Sequence, residues 1–569
     1  MKRLLWPILI FSFLLFSLAP TVYEWSQKDK LSGRTFEPVH NYITDYNFYL
    51  SRIRQGMEGR WTVVEQYTSE EHQGSCIQIF YLLLGKPVAF FSDKVLGATI
   101  AYHGARMLFA LIFLALISRA CIRMFRSLLW QVLGFLTIVT ASTIPIVVSL
   151  PDSWRLGGYM SWWTVMDSLQ RITFMPHILF GQAAIIFLVC DLFDIPKHKT
   201  TWWLLGKFIA AFCLGMVFPP GILFVGVIYG VQSGIEFFST KKTVWFKESL
   251  LPRIVVLSGG FPTLLYYGLM MTLSPWRRLV EFDQLNPTHF SFIEYGKAVG
   301  PVLVFGMIGG VVGMVKKEKQ VVVYVSWIVA WLLVLFIFQF IPQQSPLRFT
   351  EMAPHVPLGM LTVYLFFQCN CFVHRLVEKR KNYPVSGISY LVWKIGKPLL
   401  FIILNTLYLI PITLGLGVMY SSYLWQKDFI NQKVGAGWPA IPMNNVIVYP
   451  ITSFTDGLRF IEIHTPPDAI ILSDVAAGNY IPPHTGRRVF VGHDNTVDKE
   501  KKLIVVRRFF QEEMTADEAY TWIVQNHIIY VFFGPQEQES KKNIARLYPF
   551  LREVYKNSGV TIFSVNPAK

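Results

Sequence analysis

The residues with the most chemical potential in this sequence gather between His40 and His72. Asp45, Tyr49, Arg52 and Gly56 recur at i, i+4, i+7 and i+11, which places them on one face of a helix. Gly56 and Gly59 are expected to end or bend that helix. Trp61, Glu65, Tyr67, Thr68, Glu70, Glu71 and His72 follow, and then an amphipathic run over 77–84. A carboxylate within hydrogen-bond reach of a hydroxyl can take its proton. Glu70 with His72 could orient a substrate or ligate a cation, although two donors fall short of a metal site. The blander readings stand beside these: Asp45 as a helix cap in competition with Thr44, and Glu65, Glu70 and Glu71 as surface charge.

The elements that must position these residues lie largely in lipid. The 569 residues are 53% hydrophobic and 15% charged, against roughly a quarter charged in soluble domains. A net charge of +16 would raise nucleic acid as a partner, but its distribution argues against that. Residues 425–569 hold 16 Lys+Arg and 15 Asp+Glu, and residues 1–424 hold 36 and 21. The excess therefore sits in the loops of the apolar part. Cys76, Cys121, Cys190, Cys213, Cys369 and Cys371 show neither zinc-ribbon nor CxxC spacing and imply no disulfide framework.

The run 4–18 follows Lys2 and Arg3 and precedes Pro20, which would hinder cleavage, so it reads as a retained span. Further runs of the length that crosses a ~30 Å hydrocarbon core fall at 98–118, 128–150, 176–192, 202–218, 221–238, 254–273, 298–315, 321–341, 355–372 and 398–420, eleven with the first. Pro219-Pro220-Gly221 divides one long stretch in two. Alternate loops carry Arg119, Arg123 and Arg126; Lys197 and Lys199; Lys241, Lys242 and Lys247; Lys316, Lys317 and Lys319; and Arg375, Lys379, Arg380 and Lys381. Inner loops are the ones enriched in such cations, so the amino terminus is cytoplasmic and an odd number of spans leaves the carboxyl end outside.

This gives a first transmembrane helix over 1–20, a first extracytoplasmic loop with juxtamembrane helices over 21–97, helices two to eleven over 98–422, and an extracytoplasmic soluble α/β domain over 423–569. A loop of that length is usually structured or functional. In the last part, strand-like runs at 469–473, 489–491, 528–533 and 560–565 alternate with helix-like segments at 516–525 and 540–551. Neither a Walker A pattern nor G-x-G-x-x-G occurs. In this topology Arg155, Arg171, Arg277, Arg278 and Arg348, with Glu351 and His355 near it, face outside. His103, Arg106 and His177 lie near the outer boundary, where ionisable groups tend to face a cavity. Arg277-Arg278 after Trp276 also suits headgroup contact, Arg348 could anchor a helix end beside Glu351, and Arg487-Arg488 suit a solvated face.

An acidic residue just outside the first span, a long first outer loop, many spans and a soluble C-terminal domain together resemble the GT-C glycosyltransferase superfamily. Within 45–85, the run Asp-x-x-Phe-Tyr-Leu-x-x-Ile-Arg-Gln-Gly and the later Tyr-Thr-Ser-Glu are similar to bacterial mannosyltransferase-like members. The resemblance implies transfer of a sugar from a polyprenyl-phosphate carrier to an extracytoplasmic glycan, lipid or protein acceptor in a bacterial plasma membrane. It implies Asp45 as the general base, with outer arginines meeting the charge that develops on the leaving phosphate. A single Asp45, in place of an acidic pair or D-x-D, leaves a divalent cation open. Two other classes stay open: a transporter or lipid flippase, which usually shows related halves and broken helices, and a non-catalytic envelope assembly protein.

The orientation is testable. A reporter active only outside the cytoplasm is expected to be active when fused after Lys569 and inactive when fused in the 375–381 loop; the opposite pattern would invert the topology.

Overall fold

The apolar runs fold as helices in the computed structural model, which describes residues 2–40, 42–160, 162–190, 200–239, 241–341, 344–381, 388–443, 446–540 and 544–565. Lys197 and Lys199 of the inner-loop pattern lie outside the described residues. Among the described residues, seven helices are long and apolar enough to cross a membrane, and an eighth crossing follows if the bent pair Phe292–Val299 and Pro301–Val315 is one span. The other three expected spans are shorter apolar helices, Leu128–Thr140, Pro176–Cys190 and Thr201–Val217. The chain is thus a multi-pass, mostly helical membrane protein with a C-terminal sheet.

Two expected runs depart from a straight helix. The 128–150 run stops at Thr140, and Pro145–Leu150 pairs antiparallel with Ser153–Gly158. Pro145 has no amide hydrogen to continue a helix, and Val147 and Val148 favour extended backbone. The buried Arg171 guanidinium also donates to the carbonyls of Ile138, Val139 and Ala141, taking the acceptors that a further turn would use. The 298–315 run bends by 96° at Gly300. There φ is +79°, and a Cβ would lie 2.0 Å from the Ser142 carbonyl oxygen, so only glycine fits and Pro301 begins the next helix.

The chain divides into two compact units, Met1–Ala19 with Arg106–Leu264 and Pro287–Trp425, and Pro20–Ala105 with Leu265–Asn286 and Gln426–Lys569. In the first, buried Trp327 and Trp331 donate their indole N–H groups to the carbonyls of Met352 and Phe349, each at 3.1 Å. Its buried Arg253 is paired with Glu236 at 2.9 Å, as a cation within an apolar bundle must be.

The second unit holds α1 (Ile43–Met57) and α2 (Ile79–Gly85) from the first loop, and α3 (Arg278–Leu285) from a later one. The C-terminal part adds α4 (Thr452–His464), β1 (Ile470–Leu472), α5 (Val475–Thr485), β2 (Arg488–Val489), α6 (Lys499–Phe510), α7 (Ala516–Gln525), β3 (Ile528–Phe533), β4 (Leu551–Lys556) and β5 (Thr561–Val565). The strand order is β2-β1-β3-β5-β4. β1 pairs in parallel with β2 and β3, and β5 runs antiparallel to β3 and β4. The expected helix over 540–551 is reduced to Ile544–Leu547, with 541–543 outside the described residues, and is followed by the unexpected strand β4. β4 is an edge strand, so much of it stays in water and its sequence lacks the apolar run that marks a buried strand.

Side chains alternate across this sheet, as the two-residue period of a strand requires. Ile470, Leu472, Val531 and Phe533 join one hydrophobic core with Val506 and Phe509, whereas Ile471, Phe532 and Ile562 join another with Phe454 and Ile481. Ile43 and Phe48 of α1 and Tyr67 belong to that second core. The free edge of β2 is covered as well, because the Val489 amide donates to the Gln66 carbonyl at 2.9 Å.

Gly56 does not end α1. It lies inside the helix, where a Cβ would come 1.9 Å from the Leu82 carbonyl oxygen, and Gly59, at φ +95°, follows the last turn. Gly56→Ala is therefore expected to force α1 from α2 and lower stability by about 1–3 kcal/mol. Gly104→Ala, where the added methyl meets open space, should leave the unfolding midpoint unchanged or raise it. Equal midpoints for the two variants would refute the close approach.

Candidate active site

Asp45 lies in the first turn of α1, where the helix dipole favours a negative charge. The cap position is Tyr42, with no side-chain cap bond, so Asp45 is not spent on capping. α1 is anchored along its length. Asn47 donates to Asn479 Oδ1 of α5 at 2.9 Å, and Asn479 donates to the Thr44 carbonyl at 3.3 Å. Arg54, also buried, donates to the carbonyls of Pro483 and His484 at the end of α5 and pairs with Glu462 at 2.7 Å.

The residue facing Asp45 is His493. It lies in Gly492-His493-Asp494-Asn495-Thr496, the loop at the carboxyl end of β2, and its Nε2 is 3.6 Å from Asp45 Oδ1. The histidine side chain is 6% exposed and that of Asp45 41%, so one member of the pair is packed and the other open to solvent. The His493 ring stacks on Phe48 at 4.4 Å and 13° and leans on Tyr67 at 5.3 Å. Thr496 Oγ1 accepts from the amides of Gly492 and His493 and donates to the Tyr67 carbonyl. Arg278 of α3 closes the far side, donating through Nε to the Asp494 carbonyl at 2.9 Å and pairing with Glu500 at 2.5 Å. Burial would raise the Asp494 carboxyl, but Lys499, and after it Arg278, outweigh it and hold that carboxyl below its ordinary range.

A second cluster adjoins the edge of β2. Glu70 pairs with Lys502 at 2.7 Å and accepts from the Thr68 hydroxyl, while Arg488 donates to the carbonyls of Thr68 and Glu70. His72 is fully engaged: Nε2 accepts from the Glu65 amide at 2.9 Å, and Nδ1 lies 2.8 Å from the Glu70 carbonyl and so must donate to it. Burial lowers its pKa. Arg487 and Arg488 are not a solvated face. Arg487 is buried and donates to the carbonyls of Glu462, Thr465 and Thr485 within the C-terminal part, and Arg488 is held by the first loop through Thr68 and Glu70.

The remaining candidates are distributed as follows. Arg52 is fully buried and paired with Glu65 at 2.6 Å, and the Tyr49 ring stacks on Tyr81 at 4.2 Å. His103 Nε2 is 3.1 Å from the Pro38 carbonyl oxygen and 3.3 Å from the Tyr46 hydroxyl. Arg277 is exposed and bonded to Glu281, so of that adjacent pair it is Arg278 that reaches the Asp45–His493 loop. In the other unit Arg106 and Arg171 are buried, Arg348 is half-buried in the turn Pro346–Glu351, and the Glu351 carbonyl accepts from Gln182 at 2.9 Å. His177 leans on Phe218. Among the described residues no group of three or more His, Cys, Asp or Glu could hold a metal ion. Asp45 and His493 supply two donors, which do not make a protein metal site.

His493 and Lys502 lie beyond the residues that the sequence singles out, whereas Arg278 is one of its outer-facing arginines. The available signal for His493 was a polar turn-forming stretch directly after an apolar strand, since ligands gather outside the carboxyl ends of parallel strands.

No protein-family model matches the chain, and no curated protein matches it. Among solved structures, the archaeal oligosaccharyltransferase AglB from Archaeoglobus fulgidus, in complex with an inhibitory peptide and a dolichol-phosphate, is similar over 100% of this chain and 74% of its own, at 12% identity and a TM-score of 0.53. ArnT from Cupriavidus metallidurans bound to undecaprenyl phosphate is similar over 97% of each chain, at 11% identity and a TM-score of 0.48. The likeness to AglB shows the fold alone, a GT-C fold.

Burial would raise the Glu70 carboxyl, yet Lys502 and Thr68 outweigh it and hold it below its ordinary 4.5. An acid depressed by folding stabilises above its unfolded value and loses that contribution as pH falls through the folded one. The unfolding midpoint in detergent should therefore fall below pH 4.5, and less steeply in Glu70→Gln; identical slopes would rule the pair out as a source.

Proposed function

We propose that this protein is a membrane glycosyltransferase moving a hexosyl group from a polyprenyl-phosphate carrier to an extracytoplasmic glycan, lipid or protein acceptor. The observation that carries the reading is the position of Asp45: an accessible carboxylate on a firmly anchored helix, in a chain with the fold of the GT-C membrane glycosyltransferases. The bacterial plasma membrane, with the first loop and C-terminal domain outside, is the setting that fits the loop charges.

The step balances as a single displacement. The acceptor O–H gives its proton to the Asp45 carboxylate as the oxygen lone pair forms a bond to the anomeric carbon. The bond from that carbon to the carrier phosphate oxygen breaks, and its electron pair leaves on the polyprenyl phosphate. The proton on Asp45 then passes to water, which its 41% exposed side chain can reach. Arg277, exposed beside Glu281 and in the same unit as Asp45, is the outer cation proposed to meet the charge on the leaving phosphate.

Purified protein incubated with labelled polyprenyl-phosphate sugars is expected to transfer label, and Asp45→Asn to do so ~100-fold or more slowly. Equal transfer by both would remove Asp45 as the base, and no transfer from any carrier would remove the reading itself.

A further inference from the structure

A carboxylate acting as a base must hold its rotamer and present one oxygen to the acceptor. Among the described residues no hydrogen bond fixes the Asp45 side chain. We infer that His493 supplies this restraint: its Nε2–H is the donor that orients Asp45 Oδ1 and leaves Oδ2 free to receive the acceptor proton. The inference rests on the reading of Asp45 as base.

Three observations converge on it. First, His493 Nδ1 accepts from the Asn495 amide at 3.1 Å, so the neutral ring carries its hydrogen on Nε2. Second, that buried Nε2 has no acceptor within hydrogen-bond distance among the described residues, and the oxygen in front of it is Asp45 Oδ1 at 3.6 Å. A small rotation of the half-exposed aspartate closes that gap, as contacts of this kind tighten when substrate binds. Third, the ring cannot turn away. Phe48 stacks on one face, Tyr67 leans against it, and Thr496 holds the amides of Gly492 and His493. Phe48 stands three residues after Asp45, so the helix that carries the carboxylate also clamps its partner.

His493 touches no reacting atom in this scheme and is a positioning residue. His72 marks the contrast, with both ring nitrogens engaged by backbone groups.

Three substitutions in the full-length protein test the role. Glutamine places an amide N–H near Nε2, asparagine places one near Nδ1, and phenylalanine keeps the stack without a donor. Sugar transfer by His493→Asn and His493→Phe is expected to lose kcat about 10- to 100-fold at nearly constant KM, with His493→Gln recovering most of it. A packing role predicts the reverse order, so phenylalanine equal to or better than glutamine would overturn the inference. A second readout needs no catalysis. In protein carrying 15N-labelled imidazole, with the signal assigned by its absence from His493→Gln, His493 should show the Nε2–H tautomer and a resonance that moves in Asp45→Asn. An Nδ1–H tautomer or an unmoved resonance overturns it whether or not any sugar is transferred, whereas a correct NMR signature without transfer leaves His493 in place and removes the glycosyltransferase reading.

Discussion

The burial of α1 against the C-terminal sheet is the constraint on which the rest of its unit depends. Ile43 and Phe48 complete a hydrophobic core whose other walls are Ile471, Phe532, Ile562 and the helices over them. The same helix satisfies polar groups that would otherwise be stranded, as Asn47 meets Asn479 across 432 residues of sequence and Arg54 meets the last carbonyls of α5. Apolar burial supplies the driving force, and these hydrogen bonds fix the rotation and height of the helix. Asp45 inherits its position from both.

Buried charge reinforces this arrangement. Arg52 with Glu65 and Lys433 with Glu24 are ion pairs almost wholly removed from water, and the Tyr449 hydroxyl donates to Glu24 at 2.8 Å. Such pairs add little net stability, because desolvation offsets their attraction, but stranding one partner costs about 3–5 kcal/mol. A slipped packing of the first loop would strand several at once, so the charges penalise alternatives more than they stabilise the native state.

In the helical unit the same economy governs the cations. Arg171 is a helix-end donor to three carbonyls, and Arg253 is matched by Glu236. Arg171 and Arg253 are thus held by protein groups, whereas Arg277 of the other unit stays at the surface and is paired, among the described residues, with Glu281. An exposed arginine held by one flexible carboxylate can exchange it for a phosphate at little cost.

Local pattern was enough to read most of the architecture. Apolar runs of spanning length, the Pro219-Pro220-Gly221 break and the change to short strand-like runs in the C-terminal part each depend on neighbours within about twenty residues, and each corresponds to an element of the fold. Asp45 was legible for the same reason, as an acid on a helical face in a long loop. What the sequence could not decide was pairing across hundreds of residues. That His493 faces Asp45, that Arg278 and not Arg277 reaches the loop beside it, that Arg487 turns inward to the Glu462 carbonyl and that Arg488 is held by the first loop all follow from sheet register and helix packing. Gly56 shows the limit within a single helix, since its spacing suggests a helix end and only the approach of the Leu82 carbonyl explains why it must lack a side chain. Periodicity determines which face of an element is buried; what that face is buried against is set by long-range contacts that no local window contains.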